Sequence, residues 1–280
     1  MSEGDAEDGT SWDLFEEPRD FRPPTPPPTE AQHVRKNGDV VTMRLVGSHP
    51  LWGHYLWNAA PTLSIYLEEH DALVRDKYVL ELGAAAGLPS IVAMKLGARA
   101  VVATDYPDPD LMQNLSFNLA RYGSAKAVGY IWGADCAPLK EHAPHGYDLL
   151  LLSDLIFNHQ AHPALIDTLD RCLHPQGQAL VFFSHHRPHM AERDLAFFTL
   201  ASQRGYICEK LDEWLLTVRT GSTSKPPPPI RSLTAYANSF TCTYHRESYL
   251  CSLLFSSHSY SPCSLMTQVM LIYVLQCMDT

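Results

Sequence analysis

The residues with useful chemistry stand where apolar runs end. In Val79–Ser90 (VLELGAAAGLPS) such a run, carrying Glu81, gives way to Gly83, Ala84, Ala85 and Gly87 before Ile91–Met94 resume at helical spacing. The pattern predicts a strand, a tight turn and a helix, with almost no side-chain bulk where the turn's backbone would meet a ligand. A second run, Ala100–Thr104, ends on Asp105, where the next parallel strand of an open sheet can present a carboxylate to ribose hydroxyls. The alternative for Asp105 is a helix N-cap, because Pro107 and Pro109 suit a first turn. Trp132, followed by Gly133, offers a flat ring suited to covering an adenine; its alternative is a place in the core. A third carboxylate, Asp154, follows the unbroken apolar run Tyr147–Leu152 and Ser153, and Asn158 and His159 stand just beyond it.

Gly83, Ala85 and Gly87 recur with a period of two, whereas dinucleotide-binding loops carry G-x-G-x-x-G. This favours S-adenosylmethionine over a dinucleotide. The pattern E-x-G-x-(G/A)-x-G after a strand, with an acidic residue ending the next, resembles the first motifs of the class I methyltransferases. The phrases WNAAPTLSIYL, YPDPDL, SDLIFNH and HHRP resemble the nicotinamide N-methyltransferase-like branch. Within it they are similar to the fungal protein N-terminal and lysine N-methyltransferases that act on translation elongation factor 1-alpha. The resemblance implies a Rossmann-like seven-stranded α/β sandwich and S-adenosylmethionine as cofactor. It implies cofactor contacts from Trp57, Gly83, Ala84, Ala85, Asp105, Trp132 and Ser153, and substrate positioning by Asp154, Asn158 and His159. Where the family usually has a second loop glycine this chain has Ala85, and where it often has D-x-x-Y this chain has Asp154 and Phe157, without the hydroxyl.

The elements that must position these residues are legible as periodicities. Val40–Leu45 reads as a strand, and a helix carrying Trp57, Ala60, Leu63 and Leu67 follows it. Helices are expected over Pro109–Arg121, Pro163–Leu173 and Ala191–Arg204, and strands over Ala127–Ile131, Tyr147–Leu152, Gln178–Ser184 and Tyr206–Leu211. Residues 1–39 read as an acidic, proline-rich arm, a solvated leader or a segment whose Trp12, Phe15 and Phe21 dock on the domain. The methyltransferase domain is expected over residues 40–216.

Of 280 residues 45% are hydrophobic and 19% charged, an ordinary balance for a globular α/β domain. A net charge of -10 supplies no excess of phosphate-neutralising side chains, which excludes a general nucleic-acid binder. MSEGDAEDGT has neither the cationic nor the apolar region of a secretory leader, so the cytoplasm is expected, without a membrane span, while the resemblance implies a monomer acting on a protein. Seven cysteines, widely spaced and without a C-x-x-C pair, fit reduced thiols. The histidines of His185–His189 have no thiolate or acidic partner at ligand spacing, and no metal is expected.

Beyond Trp214 the composition turns to serine, proline, cysteine and tyrosine. No closing aromatic strand is evident there, and LMTQVMLIYVLQC is too short for a membrane span. Residues 217–280 therefore read as an atypical tail, a translated intron or shifted frame, with a genuine extension as the alternative. Two other functions stay open: methylation of a small, nicotinamide-like amine, and cofactor binding without activity.

Overall fold

The computed structural model describes residues 26–220, 234–237, 240–245 and 265–278. The aromatic and acidic cluster around Trp12 lies outside them.

Two faces of one sheet organise the chain. Its strands are β1 (Thr29–Val34), β2 (Val40–Leu45), β3 (Tyr78–Leu82), β4 (Ala100–Asp105), β5 (Lys126–Gly129), β6 (Tyr147–Ser153), β7 (Leu173–Phe183), β8 (Tyr206–Thr220), β9 (Thr234–Ala237), β10 (Phe240–His245) and β11 (Leu265–Cys277). The helices are α1 (Ala59–Glu69), α2 (Leu88–Lys95), α3 (Pro109–Ala120), α4 (Ala137–Lys140), α5 (His162–Cys172) and α6 (Ala191–Gln203). Because successive side chains of a strand point to opposite faces, the leucines of β6 split between two cores. Leu149 and Leu151 join α1, α2 and α3, with Leu63, Leu67, Ile91, Val92, Leu115 and Leu119, while Leu150 and Leu152 join Leu165, Leu169, Phe197 and Phe198 of α5 and α6. The result is a Rossmann-like α/β sandwich, helices on both faces of one sheet.

In the core of the sheet the order is β5-β4-β3-β6-β7-β11-β8. The pairs β4/β5, β3/β4, β3/β6 and β6/β7 are parallel, and β11 runs antiparallel to both β7 and β8. The chain leaves β3 toward β4 and β5 on one side, then returns to β6 on the other. The crevice beyond the carboxyl ends of β3 and β6 is thus the switch point at which open α/β sheets bind ligands.

The closing strand, absent from the sequence reading, is β11. Met270, Ile272 and Val274 enter one core and Leu271 and Leu275 the other, so Met270–Leu275 is a central strand segment buried on both faces. It covers the β7 edge, where Leu271 lies opposite Phe183 and Gln276 opposite Gln178.

Other boundaries move as well. Residues 29–34, read as part of the arm, form β1, a hairpin with β2 whose turn is closed by Arg35 N–H donating to the Asp39 carbonyl at 2.8 Å. Trp57 precedes α1 instead of lying within it, because the helix begins at Ala59 after Asn58. β5 stops at Gly129, which leaves Trp132 in the following turn. β8 runs on to Thr220 because β11 and β10 pair along it, and β7 begins at Leu173, opposite Tyr147 of β6.

Candidate active site

At the end of β3 the chain turns with Gly83 at φ +61°, Ala85 at +47° and Gly87 at +80°. A Cβ on Gly83 would stand 2.6 Å from Leu155 Cδ2 and 3.3 Å from Trp132 Cζ2, so the loop backbone itself fills the space between these side chains. Gly87 caps α2, and its N–H donates to the Ala84 carbonyl at 2.7 Å. Ala84 N–H donates to the Thr104 carbonyl at 2.8 Å, which ties the turn to β4.

Glu81 lies completely buried beneath this turn. Its Oε2 accepts from the Ser90 backbone N–H at 2.9 Å and from the Ser90 hydroxyl at 2.5 Å, while Oε1 has no partner. Burial pushes its carboxyl up to about 8, although the two bonds from Ser90 work against the shift. A neutral Glu81 holds the start of α2 to β3.

Asp105 ends β4 and is half-buried. Its Oδ2 accepts from Ala85 N–H at 2.6 Å and its Oδ1 from Tyr106 N–H at 2.7 Å. Burial raises its pKa against these two bonds. The helix-cap alternative falls to Asp108, whose side chain accepts from Asp110 and Leu111 N–H groups. Each Asp105 oxygen keeps a second lone-pair direction, so the carboxylate can still accept from a diol. Loop backbone, fixed carboxylate and the Trp132 ring at Gly83 form a set that fits an adenosyl group with an attached amino-acid tail. Gly83, Ala84, Ala85, Asp105 and Trp132 would hold it.

Across the crevice, Ser153 ends β6, and the next residue, Asp154, is buried with φ +61°. Its N–H donates to the Phe182 carbonyl at 2.7 Å, and both its carboxylate oxygens accept from His186 Nε2 at 2.8 Å. Asp154 is therefore already partnered. The Asp154 carboxylate beside His186 holds that imidazole above the ordinary histidine range, against the effect of burial. Asn158 is exposed, at the start of a short turn.

His159 Nε2 meets Asp194 Oδ1 of α6 at 2.6 Å, and His185 Nδ1 meets Oδ2 of the same carboxylate at 2.7 Å, which ties the loop after β6 to the loop after β7. Among the described residues no three His, Cys, Asp or Glu side chains are placed to hold a metal ion.

Trp52, Tyr55 and Gln268, which sequence reasoning passed over, complete the rim with Trp57, Phe157 and His186. Trp52, at φ +57°, meets Phe157 edge to face at 5.5 Å, and Phe157 meets His186 at 5.8 Å. Trp57 meets His186 at 5.2 Å and Tyr55 at 5.6 Å. Gln268 of β11 accepts from Asn58 Nδ2 at 2.7 Å and donates to Ser184 Oγ at 2.5 Å, bracing the segments that carry Trp57 and His186. Trp52, Ala85 and Asp154 are three of the four non-glycine residues with positive φ among those described, and strained backbone collects at working sites. The HHRP turn was the available signal for His186, but its partner stands thirty-two positions earlier.

Comparison with known proteins gives the family and agrees with the fold. The model of a family described as lysine methyltransferase matches residues 46–204. A protein N-terminal and lysine N-methyltransferase efm7 from Schizosaccharomyces pombe is 45% identical over 227 residues, 76% of this chain and 88% of its own. The protein of the same name from Neurospora crassa is 44% identical over 231 residues, covering 76% and 82%. A solved structure from Pyrococcus horikoshii, named as a candidate RNA methyltransferase, aligns over 83% of this chain and 91% of its own with a TM-score of 0.51 at 14% identity, a likeness of fold alone.

Proposed function

The chain belongs to the lysine methyltransferase family, and from that premise we propose that it methylates the N-terminal amine and an adjacent lysine of translation elongation factor 1-alpha. Its cofactor is S-adenosylmethionine, which supplies an electrophilic methyl: the nitrogen–carbon bond forms as the carbon–sulfur bond breaks, and that electron pair stays on sulfur. The protein's part is to hold the donor and a neutral amine in line.

The observation that carries the reading is the placement of the Asp154–His186 pair and its aromatic rim across the switch-point crevice from Asp105. In this reading Trp57, Gly83, Ala84, Ala85, Asp105, Trp132 and Ser153 hold the cofactor. Asp154 and Asn158 position the substrate, and His159 steadies the loop between them. The rim is open, with Trp52 48% and Tyr55 53% exposed, which favours the end of a polypeptide over a small amine enclosed in a box. An α-amine has a reference pKa near 7.7 to 8.0 and loses its proton far more readily than a lysine near 10.4, so the N-terminus is the easier acceptor. The names of the relatives support an N-terminal amine and a lysine as the methylated groups, and the resemblance of the YPDPDL, SDLIFNH and HHRP segments carries the choice of the factor. A cytoplasmic, monomeric enzyme suits that choice, and among the described residues no helix is long and apolar enough to cross a membrane.

The test is calorimetric titration of S-adenosylmethionine into the wild type and Asp105→Ala, followed by methyl transfer to the recombinant factor. Losing two charge-assisted hydrogen bonds should weaken binding by roughly 2 to 4 kcal/mol. Unchanged affinity in a folded variant removes Asp105 from the site. Tight binding without transfer leaves a cofactor-binding module in place of the enzyme.

A further inference from the structure

A buried carboxylate needs a partner, and Asp154 has taken an imidazole. With both oxygens on His186 Nε2, the carboxylate selects the tautomer that is protonated there and leaves Nδ1 as the basic nitrogen. Among the described residues Nδ1 of His186 receives no hydrogen bond, and the side chain is 26% exposed, enough to exchange a proton with water.

Around this imidazole the rings form a closed circuit. Trp52 leans edge-on against Phe157, Phe157 against His186 with an interplanar angle of 87°, and His186 against Trp57 at 77°. Trp57 Nε1 then returns to the Trp52 carbonyl at 3.4 Å. Near-perpendicular rings present walls in place of a stack, and an ammonium over such faces is held by their negative charge distribution.

We propose that His186 accepts the proton of the substrate ammonium inside this ring of aromatic side chains, with Asp154 as its positioning residue. The proposal rests on the function given above and deepens it. In the step, an N–H bond of the ammonium breaks, its proton goes to His186 Nδ1, and the electron pair stays on the amine nitrogen as the nucleophile. The Asp154 carboxylate offsets the imidazolium charge until Nδ1 passes the proton to water. A methylated secondary or tertiary ammonium still carries a proton and repeats the cycle; a quaternary product carries none and ends it. Trp52, Trp57 and Phe157 hold the cation between rounds.

The charged groups facing His186 are Asp154 at the end of β6 and Asp194 on α6, which favour the imidazolium, and Arg187 on its own loop, which opposes it. His185 stands next in sequence, bonded to Asp194, and Trp57 and Phe157 bring no charge. The raised folded value means that His186 stays protonated to a higher pH than an ordinary histidine. A protonated acceptor cannot work, so kcat/KM should fall as pH drops through a value above the ordinary 6.5.

Two measurements test this. Nuclear magnetic resonance titration of His186 in the cofactor-free full chain should show a raised pKa in the wild type and a lower one in Asp154→Asn. With elongation factor 1-alpha as substrate, His186→Gln should lose about 10²- to 10⁴-fold in kcat, with only the substrate amine's own titration left in its acid limb and S-adenosylmethionine affinity unchanged. Asp154→Asn should move the acid limb to lower pH, which a merely structural pair would not do. An active wild type whose His186→Gln variant keeps both kcat and the acid limb overturns the proposal and leaves the methyltransferase reading intact. A wild type that transfers nothing to the factor sinks that reading and the proton-acceptor role with it, even if the titration shows the raised pKa.

Discussion

Ala85 occupies a left-handed backbone conformation at φ +47°, a region that costs an L residue roughly 1 to 2 kcal/mol and glycine almost nothing. Glycine loses more freedom on folding, about 0.5 to 1 kcal/mol, so the two effects nearly offset. Ala85→Gly should therefore leave stability within about 1 kcal/mol and bind S-adenosylmethionine at least as tightly, since the Ala85 N–H to Asp105 is kept. Several-fold weaker binding by calorimetry would show that the methyl supports the loop. Glu81 makes a second residue-scale prediction. Its folded pKa of about 8 lies above the ordinary glutamate value of 4.5, so between those values the native state holds a proton that the unfolded chain has released. Stability must then fall as pH rises across that window. Urea midpoints should decline from pH 5 to pH 8, and Glu81→Gln should flatten this component of the slope; an unaltered slope would mean that Glu81 is ionised in the fold. Gly83 and Asp105 were legible because each is read along one strand and its exit. The Asp154–His186 pair was not, because it forms only when β6 and β7 lie side by side and carry their following loops together.

At the scale of elements, the parallel core declared itself through apolar runs and helical periods, and α3, α5 and α6 fall within a residue of their expected limits. The closing strand was missed for a physical reason. A strand buried on both faces has no polar alternation to mark it, and residues 221–264 separate β11 from β8. Yet the register places Leu265 directly opposite Arg219, so the two strands meet as a hairpin whatever lies between them. Replacing residues 221–264 by a short Asn-Gly turn should keep the β8–β11 pairing and S-adenosylmethionine binding, while the loss of β9 and β10 uncovers the β8 edge and lowers the unfolding temperature. Removing residues 265–280 should instead expose the β7 edge, withdraw Gln268 from Asn58 and Ser184, and give aggregated protein. A folded, cofactor-binding truncation at residue 264 would show that β11 is dispensable.

At the scale of the whole molecule, one sheet with helices on both faces places Asp105 and the Asp154–His186 pair on opposite banks of one crevice, with an exposed aromatic rim above the second. Such a layout presents a methyl donor to a polypeptide end that needs only a short reach into the site. The polypeptide end we propose for it is the N-terminus of elongation factor 1-alpha. That choice is tested most directly by fragment mass spectrometry of the factor after incubation with this chain and S-adenosylmethionine, using free and N-terminally acetylated preparations side by side. Methyl groups on the N-terminal amine and the adjacent lysine of the free preparation, with the acetylated one modified on lysine alone, are the predicted result. A free factor that emerges with neither position methylated would contradict the account.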